Sequence, residues 1–159
     1  MKISENMRNA LNEQINAELY SAYLYLSMAA WLDKESHKGM ANWEKEQAKE
    51  EVEHAMKLYD YIIEQEGIVT MKSIASPKLM WDTPLEIFED GLAHEKKVTS
   101  LINDLVQVAK DENDSKTEEF LQWFVDEQVE EEEHAVSVIE KIKTMDLKEV
   151  DKVLGERHG

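Results

Sequence analysis

LNEQINAELYSAYLYLSMAAWL, residues 11–32, decides the fold. Leu11, Ile15, Ala22, Tyr25, Ala29 and Leu32 follow the 4-3 spacing of a helix that buries one stripe in a bundle. Glu18 stands in the same stripe, where an apolar residue is expected. A carboxylate buried without a partner is costly, so one retained on an inward face implies a cation beside it.

Three more stripes read the same way. The second helix carries Met40, Trp43, Gln47, Glu51, His54, Leu58 and Tyr61 on one face and is expected to end near Gly67. The third carries Phe88, Leu92, Glu95, Val98 or Thr99, Ile102, Leu105 and Ala109. The fourth carries Thr117, Leu121, Phe124, Gln128, Glu131, Ala135, Val138 and Ile142. Each stripe is interrupted near its middle by an acid, and four that converge in one core would make a metal site.

The boundaries follow from local signals. Ser4 is the expected N-cap of helix one, which runs to about Leu32, with a turn from Asp33 to Gly39. Thr83, Pro84 and Glu86 form a capping box for helix three, and Ser115 with Glu118 suggests another for helix four. Asp146 with Glu149 suggests a third, opening a short tail helix over about 147–155. Ile68 to Thr83, interrupted by Pro77, has no helical period. It is long enough to travel the length of a bundle and leave helices two and three parallel. The expected fold is all-α: one domain over 1–159, a four-helix bundle over about 5–144 with one long crossover, then a short fifth helix.

Composition narrows the function. The chain has 159 residues, 42% hydrophobic, with 5 Gly and 2 Pro, which suits long helices around a sizeable core. Zero Cys excludes disulfides, zinc ribbons and thiol nucleophiles. The net charge of −17 argues against nucleic-acid partners. No signal-peptide h-region or membrane-length apolar run is present, so a cytoplasmic protein is expected, without a membrane partner.

The chemistry lies in E-x-x-H. Glu51 and His54, three apart on a helix, share a face and can bind one metal. Carboxylates with imidazole suit iron, manganese or zinc better than calcium or magnesium. The motif alone is weak, because His134 also follows a Glu, Glu131, at that spacing. Helix four therefore offers two registers, Glu131 with His134 or Gln128 with Glu131. The 4-3 stripe passes through Gln128 and Glu131 and leaves His134 on the flank. Glu132 and Glu133 read as a solvated acidic run.

Residues 11–43, the segment EEVEHA (50–55) and FLQWFVDEQVEEEE (120–133) together resemble the prokaryotic non-haem ferritins. The resemblance covers almost the whole chain. It implies a di-iron ferroxidase centre, with Glu18, Glu51 and His54 on the first iron. Glu51 would bridge to a second iron held by Glu95 and Glu131, with Gln128 close by. It implies a third iron site from Glu50, Glu127, Glu130 and Glu131, and electron donors in Tyr25 and Trp123. Val52, where haem-bearing relatives carry the axial methionine, argues against haem.

The implied function is storage. Fe(II) enters, is oxidised to Fe(III) by dioxygen or hydrogen peroxide, and is kept as ferric mineral in a homo-oligomeric shell of about 24 subunits. Glu118 is a candidate pore residue, and the short tail leaves the channel geometry open. Two alternatives are a di-iron or di-manganese enzyme that reduces peroxide without storing metal, and a ferroxidase-silent structural subunit.

Overall fold

The computed structural model describes residues 2–158, and among them there are five helices and no strand. These are α1 (Glu5–Lys34), α2 (Lys38–Glu64), α3 (Pro84–Asp111), α4 (Ser115–Thr144) and α5 (Leu147–Leu154). All of the α1 stripe is buried, Glu18 included. On the other helices only Trp43, Leu92, Thr99 and Ile142 reach the bundle edge. None of these helices is long and apolar enough to cross a membrane.

Helix starts follow the caps, with two shifts from expectation. Ser4 Oγ accepts from Met7 N at 3.1 Å and Thr83 Oγ1 from Glu86 N at 3.1 Å. The Glu86 carboxylate reaches back to Asp82 N rather than to Thr83 N. The N-cap of α4 is Asp114, not Ser115, because the Asp114 carboxylate takes both Thr117 N and Thr117 Oγ1. Asp146 is the N-cap of α5 but makes no side-chain cap bond, so the box expected with Glu149 does not form.

The first three helices stop in the same way. Ser36, Glu66 and Asn113 adopt positive φ (66°, 59° and 55°). The next amide then reaches back, from His37 to Leu32 O, Gly67 to Ile62 O and Asp114 to Ala109 O. This is the Schellman closure carried by residues other than glycine. As a result α1 runs on to Lys34, α2 begins at Lys38 and ends at Glu64, and the expected stop at Gly67 moves back three residues.

The crossover, residues 65–83, lies along the outer face of α1. Asn12 Nδ2 donates to Ile68 O at 2.9 Å and Asn12 Oδ1 accepts from Thr70 N at 2.8 Å. Farther along, Asn16 holds Ser73 O and Ser27 holds Lys78 O. Contacts advancing from Asn12 to Ser27 show the strap running in the direction of α1. It therefore returns the chain to the end where α2 began, and α2 and α3 are parallel.

The tail helix closes that end. Asp151 Oδ1 accepts from Met40 N at 2.9 Å, serving the N-terminus of α2 where His37 supplies no side-chain cap. A Cβ at Gly39 would collide with the carbonyl of Asp151, so the close crossing of α5 over α2 requires glycine.

Candidate metal centre

Two apolar clusters fill the bundle, one from Met7, Leu11, Leu58, Ile102 and Phe124, the other from Met28, Leu32, Met40, Phe88 and Val150. Between them lies a belt of acids, with Glu18 and Glu51 fully buried and Glu95 and Glu131 at 3% and 4% exposure. Ligand atoms of Glu18, Glu51 and His54 lie within 4.8 Å of one another, as do those of Glu51, Glu95 and Glu131. Glu51 belongs to both groups, which is the placement of a bridge between two ions. A third group joins His54, Glu127 and Glu131.

Neutral donors pin one oxygen of Glu18, Glu51 and Glu131 and both oxygens of Glu95. Gln14 Nε2 donates to Glu18 Oε1 at 3.3 Å. Gln47 Nε2 donates to Glu51 Oε1 at 3.1 Å and Glu131 Oε2 at 2.5 Å. Glu95 accepts from the Tyr25 hydroxyl and, at 3.2 Å, from Gln128 Nε2. Such outer bonds orient ligands and set their basicity.

What remains unpaired is decisive. Glu18 Oε2, Glu51 Oε2 and His54 Nδ1 are buried with no hydrogen-bond partner among the described residues. They face one another, with His54 Nδ1 3.5 Å from Glu51 Oε2 and 4.0 Å from Glu18 Oε2. Three unpaired ligand atoms within 4.8 Å of one another fit a cation or, without one, a proton shared between Glu18 and Glu51.

The electrostatics agree. Burial, then the neighbouring Glu51, pushes the Glu18 carboxyl well above the usual range. Burial, then Glu95, does the same to Glu51. Glu95 is raised by burial and Glu131 is pushed up to about 8 by burial and Glu95. The Tyr25 phenol is raised by burial and by Glu95. Without a cation burial favours the protonated form of each acid; with two divalent ions, four carboxylates would balance the charge.

The outer acids are arranged more loosely. Glu127 is half-buried, 3.8 Å from His54 Nε2, and raised by burial. Glu50 is half-buried and pairs with Arg157, while Glu130 is exposed. Neither Glu50 nor Glu130 joins a converging group. His134 is exposed and outside every such group. Trp123 is 39% exposed, edge-on to His54 at 5.4 Å, with Lys57 over its ring. Glu118 is half-buried on the first turn of α4.

Glu132 departs from the solvated run expected of it. It is half-buried and accepts from Thr99 Oγ1 at 2.6 Å, which ties α4 to α3 behind Glu95. Glu44, absent from the sequence reading, is 1% exposed with an unpartnered Oε2 and is raised by burial. It lines a cavity of about 10 Å³, room for one water, together with Tyr25, Gln47, Glu95 and Glu131. Its signal was available, since Met40, Glu44, Gln47 and Glu51 also run 4-3-4.

A four-helix bundle with one long crossover and two metal-ligand groups sharing a carboxylate defines the class of carboxylate-bridged metal bundles. Comparison with known proteins narrows it. Residues 8–145 match the Ferritin family, described as a ferritin-like domain. A bacterial non-heme ferritin of Bacteroides fragilis is 46% identical over 141 residues, 89% of each chain. One from Staphylococcus aureus is 42% identical over 130 residues, covering 82% of this chain and 78% of the relative. An engineered closed form of the Archaeoglobus fulgidus ferritin superposes with a TM-score of 0.97 at 46% identity, over 99% of both chains. An open-pore ferritin from the same archaeon gives 0.95 at 47%, over 98% of both. The chain belongs to the ferritin family.

Proposed function

We propose that this protein stores iron, oxidising Fe(II) at the belt between the two apolar clusters and passing Fe(III) to a mineral. The observation that carries the reading is the convergence of unpartnered Glu18 Oε2, Glu51 Oε2 and His54 Nδ1. Glu18, Glu51 and His54 take one ferrous ion; Glu51, Glu95 and Glu131 take the other. Glu127 and Glu131, which converge already, would be joined by Glu50 and Glu130 around a third ion at an outer position. The proposed working assembly is a homo-oligomeric shell of about 24 subunits.

Iron is the substrate, and the protein's part is to hold it. Two ferrous ions side by side supply the two electrons that reduce dioxygen to peroxide, or peroxide to water. Gln14, Gln47, Tyr25 and Gln128 keep the carboxylates aimed, so little reorganisation is needed as charge develops. Each arriving ion displaces protons from raised acids, and the belt stays near neutral. Tyr25, bonded to Glu95, is placed to exchange an electron and a proton with the second position.

The test is the initial rate of Fe(II) oxidation by dioxygen on shells isolated by size exclusion, for wild type and Glu18→Ala. The reading requires the rate to collapse in the variant. An unchanged rate removes the ferroxidase assignment, and a small oligomer that retains no iron removes the storage one.

A further inference from the structure

The chain beyond α5 places one cation at the edge of the centre. Arg157 stacks on Trp43, 4.3 Å from guanidinium carbon to ring centroid, and donates to Trp43 O at 3.2 Å. It also donates to Gln47 Oε1 at 3.0 Å and pairs with the Glu50 carboxylate. The segment is fastened in place: Asn42 Nδ2 holds Arg157 O at 3.1 Å, and Asp151 bonds to Met40 N. The Arg157 and Glu50 side chains are 18% and 28% exposed, so this pair is shielded more than a surface ion pair.

Two consequences follow from the donor inventory. By occupying Gln47 Oε1, the guanidinium leaves Gln47 Nε2 to serve Glu51 and Glu131, and a reversed amide would set oxygen against two acids. By pairing with Glu50, it draws that acid away from the other outer acids. Glu50 joins no converging ligand group although it adjoins Glu51 in sequence. An open groove of about 500 Å³, lined by Glu50, His134, Lys141, Glu156, Arg157 and His158, leads to the pair.

We propose that Arg157 is a built-in competitor for the outer iron position: it holds Glu50 out of coordination until an arriving ferrous ion displaces it. The proposal rests on the iron-binding reading above. Arg157 acts through Glu50 and Gln47 and is a positioning residue, and iron arrival at Glu50 exchanges one cation for another. The tail thereby tunes how readily a third ion binds through Glu50, while its bond to Gln47 keeps that amide facing Glu51 and Glu131.

Anaerobic Fe(II) titration by calorimetry tests this on assembled shells of wild type, Arg157→Ala, Arg157→Lys, Glu50→Gln and the Glu50→Gln/Arg157→Ala double variant. In Arg157→Ala the weakest ion per subunit should bind about tenfold more tightly, with the two inner ions unchanged in number. Arg157→Lys keeps the charge and should stay within about threefold of wild type. In the Glu50→Gln background, removing Arg157 should change nothing further. An unchanged or weaker outer ion in Arg157→Ala overturns the proposal, as does an equal gain in the Glu50→Gln background, which would be a general charge effect. If Arg157→Ala does not assemble, Arg157→Gln takes its place under the same criteria. Failure of wild type to bind two inner ions would instead overturn the iron-binding reading itself.

Discussion

The acid belt and the two apolar clusters beside it are written on the same four stripes, yet they serve opposite ends. Leu11, Leu58, Ile102 and Leu121 pack one end and are stable as they stand. A few turns away Glu18, Glu51, Glu95 and Glu131 occupy the same kind of position and are stable only when protonated or bound to a cation. The ends hold the bundle together and the belt draws on that stability. A site of this kind is expected to cost the metal-free fold something, and the ends are what offset it.

That division can be broken from either side. The largest effect on stability belongs to the ends. Leu58→Ala, at a fully buried position, should destabilise the metal-free protein by about 2–5 kcal/mol. Chemical denaturation measures the loss, and the number of tightly bound ions should not change. A loss of ions at equal severity would mean that the two regions are not separable.

The converse substitution is Glu18→Leu. Removing a buried carboxyl with an unpartnered oxygen should stabilise the metal-free protein by about 1–3 kcal/mol while abolishing iron oxidation. A less stable variant would show that Glu18 contributes to the apo fold through its bond from Gln14.

The most gradual effect is in pH. Glu131 holds a proton in the folded state up to about pH 8, whereas the unfolded chain releases it near pH 4.3. The folded state therefore binds more protons across that window, and metal-free stability falls as pH rises through it, by up to about 1.4 kcal/mol per pH unit for this one group. The other raised acids act with the same sign. Thermal melts from pH 5 to 8 should show this decline without metal and its reversal with Fe(II), because the bound ion favours the ionised carboxylates. Rising metal-free stability over that range would contradict the belt's electrostatics.

Most of this division was legible in the sequence, because a helical period exposes any carboxylate lying inside it. Glu18, Glu51, Glu95 and Glu131 announced themselves as breaks in the 4-3 pattern, and the parallel course of α2 and α3 followed from the length of the crossover. What was hidden depended on contacts between distant parts. Glu44 and its neighbour Trp43 are alternative members of one stripe, since Met40 to Gln47 can be bridged through either, and an aromatic residue is the expected choice. The donors Gln14 and Gln47 are ordinary polar residues until the acids beside them are known to be buried. Glu132 looked solvated because nothing local predicts that Thr99, on another helix, would reach it. Arg157 lies beyond every periodic segment, and only the packing of α5 on α2 brings it to Glu50. Helix ends moved because Ser36, Glu66 and Asn113 take the left-handed turn that glycine would have marked.

The central claim is that Glu51 is the shared carboxylate of two adjacent metal positions. Anaerobic Fe(II) titration of wild type beside Glu51→Gln tests it most directly. The account predicts two tightly bound ions per subunit in wild type and loss of tight binding at both positions in the variant. Saturation of wild type at one ion per subunit, or two tight ions surviving in Glu51→Gln, would contradict it.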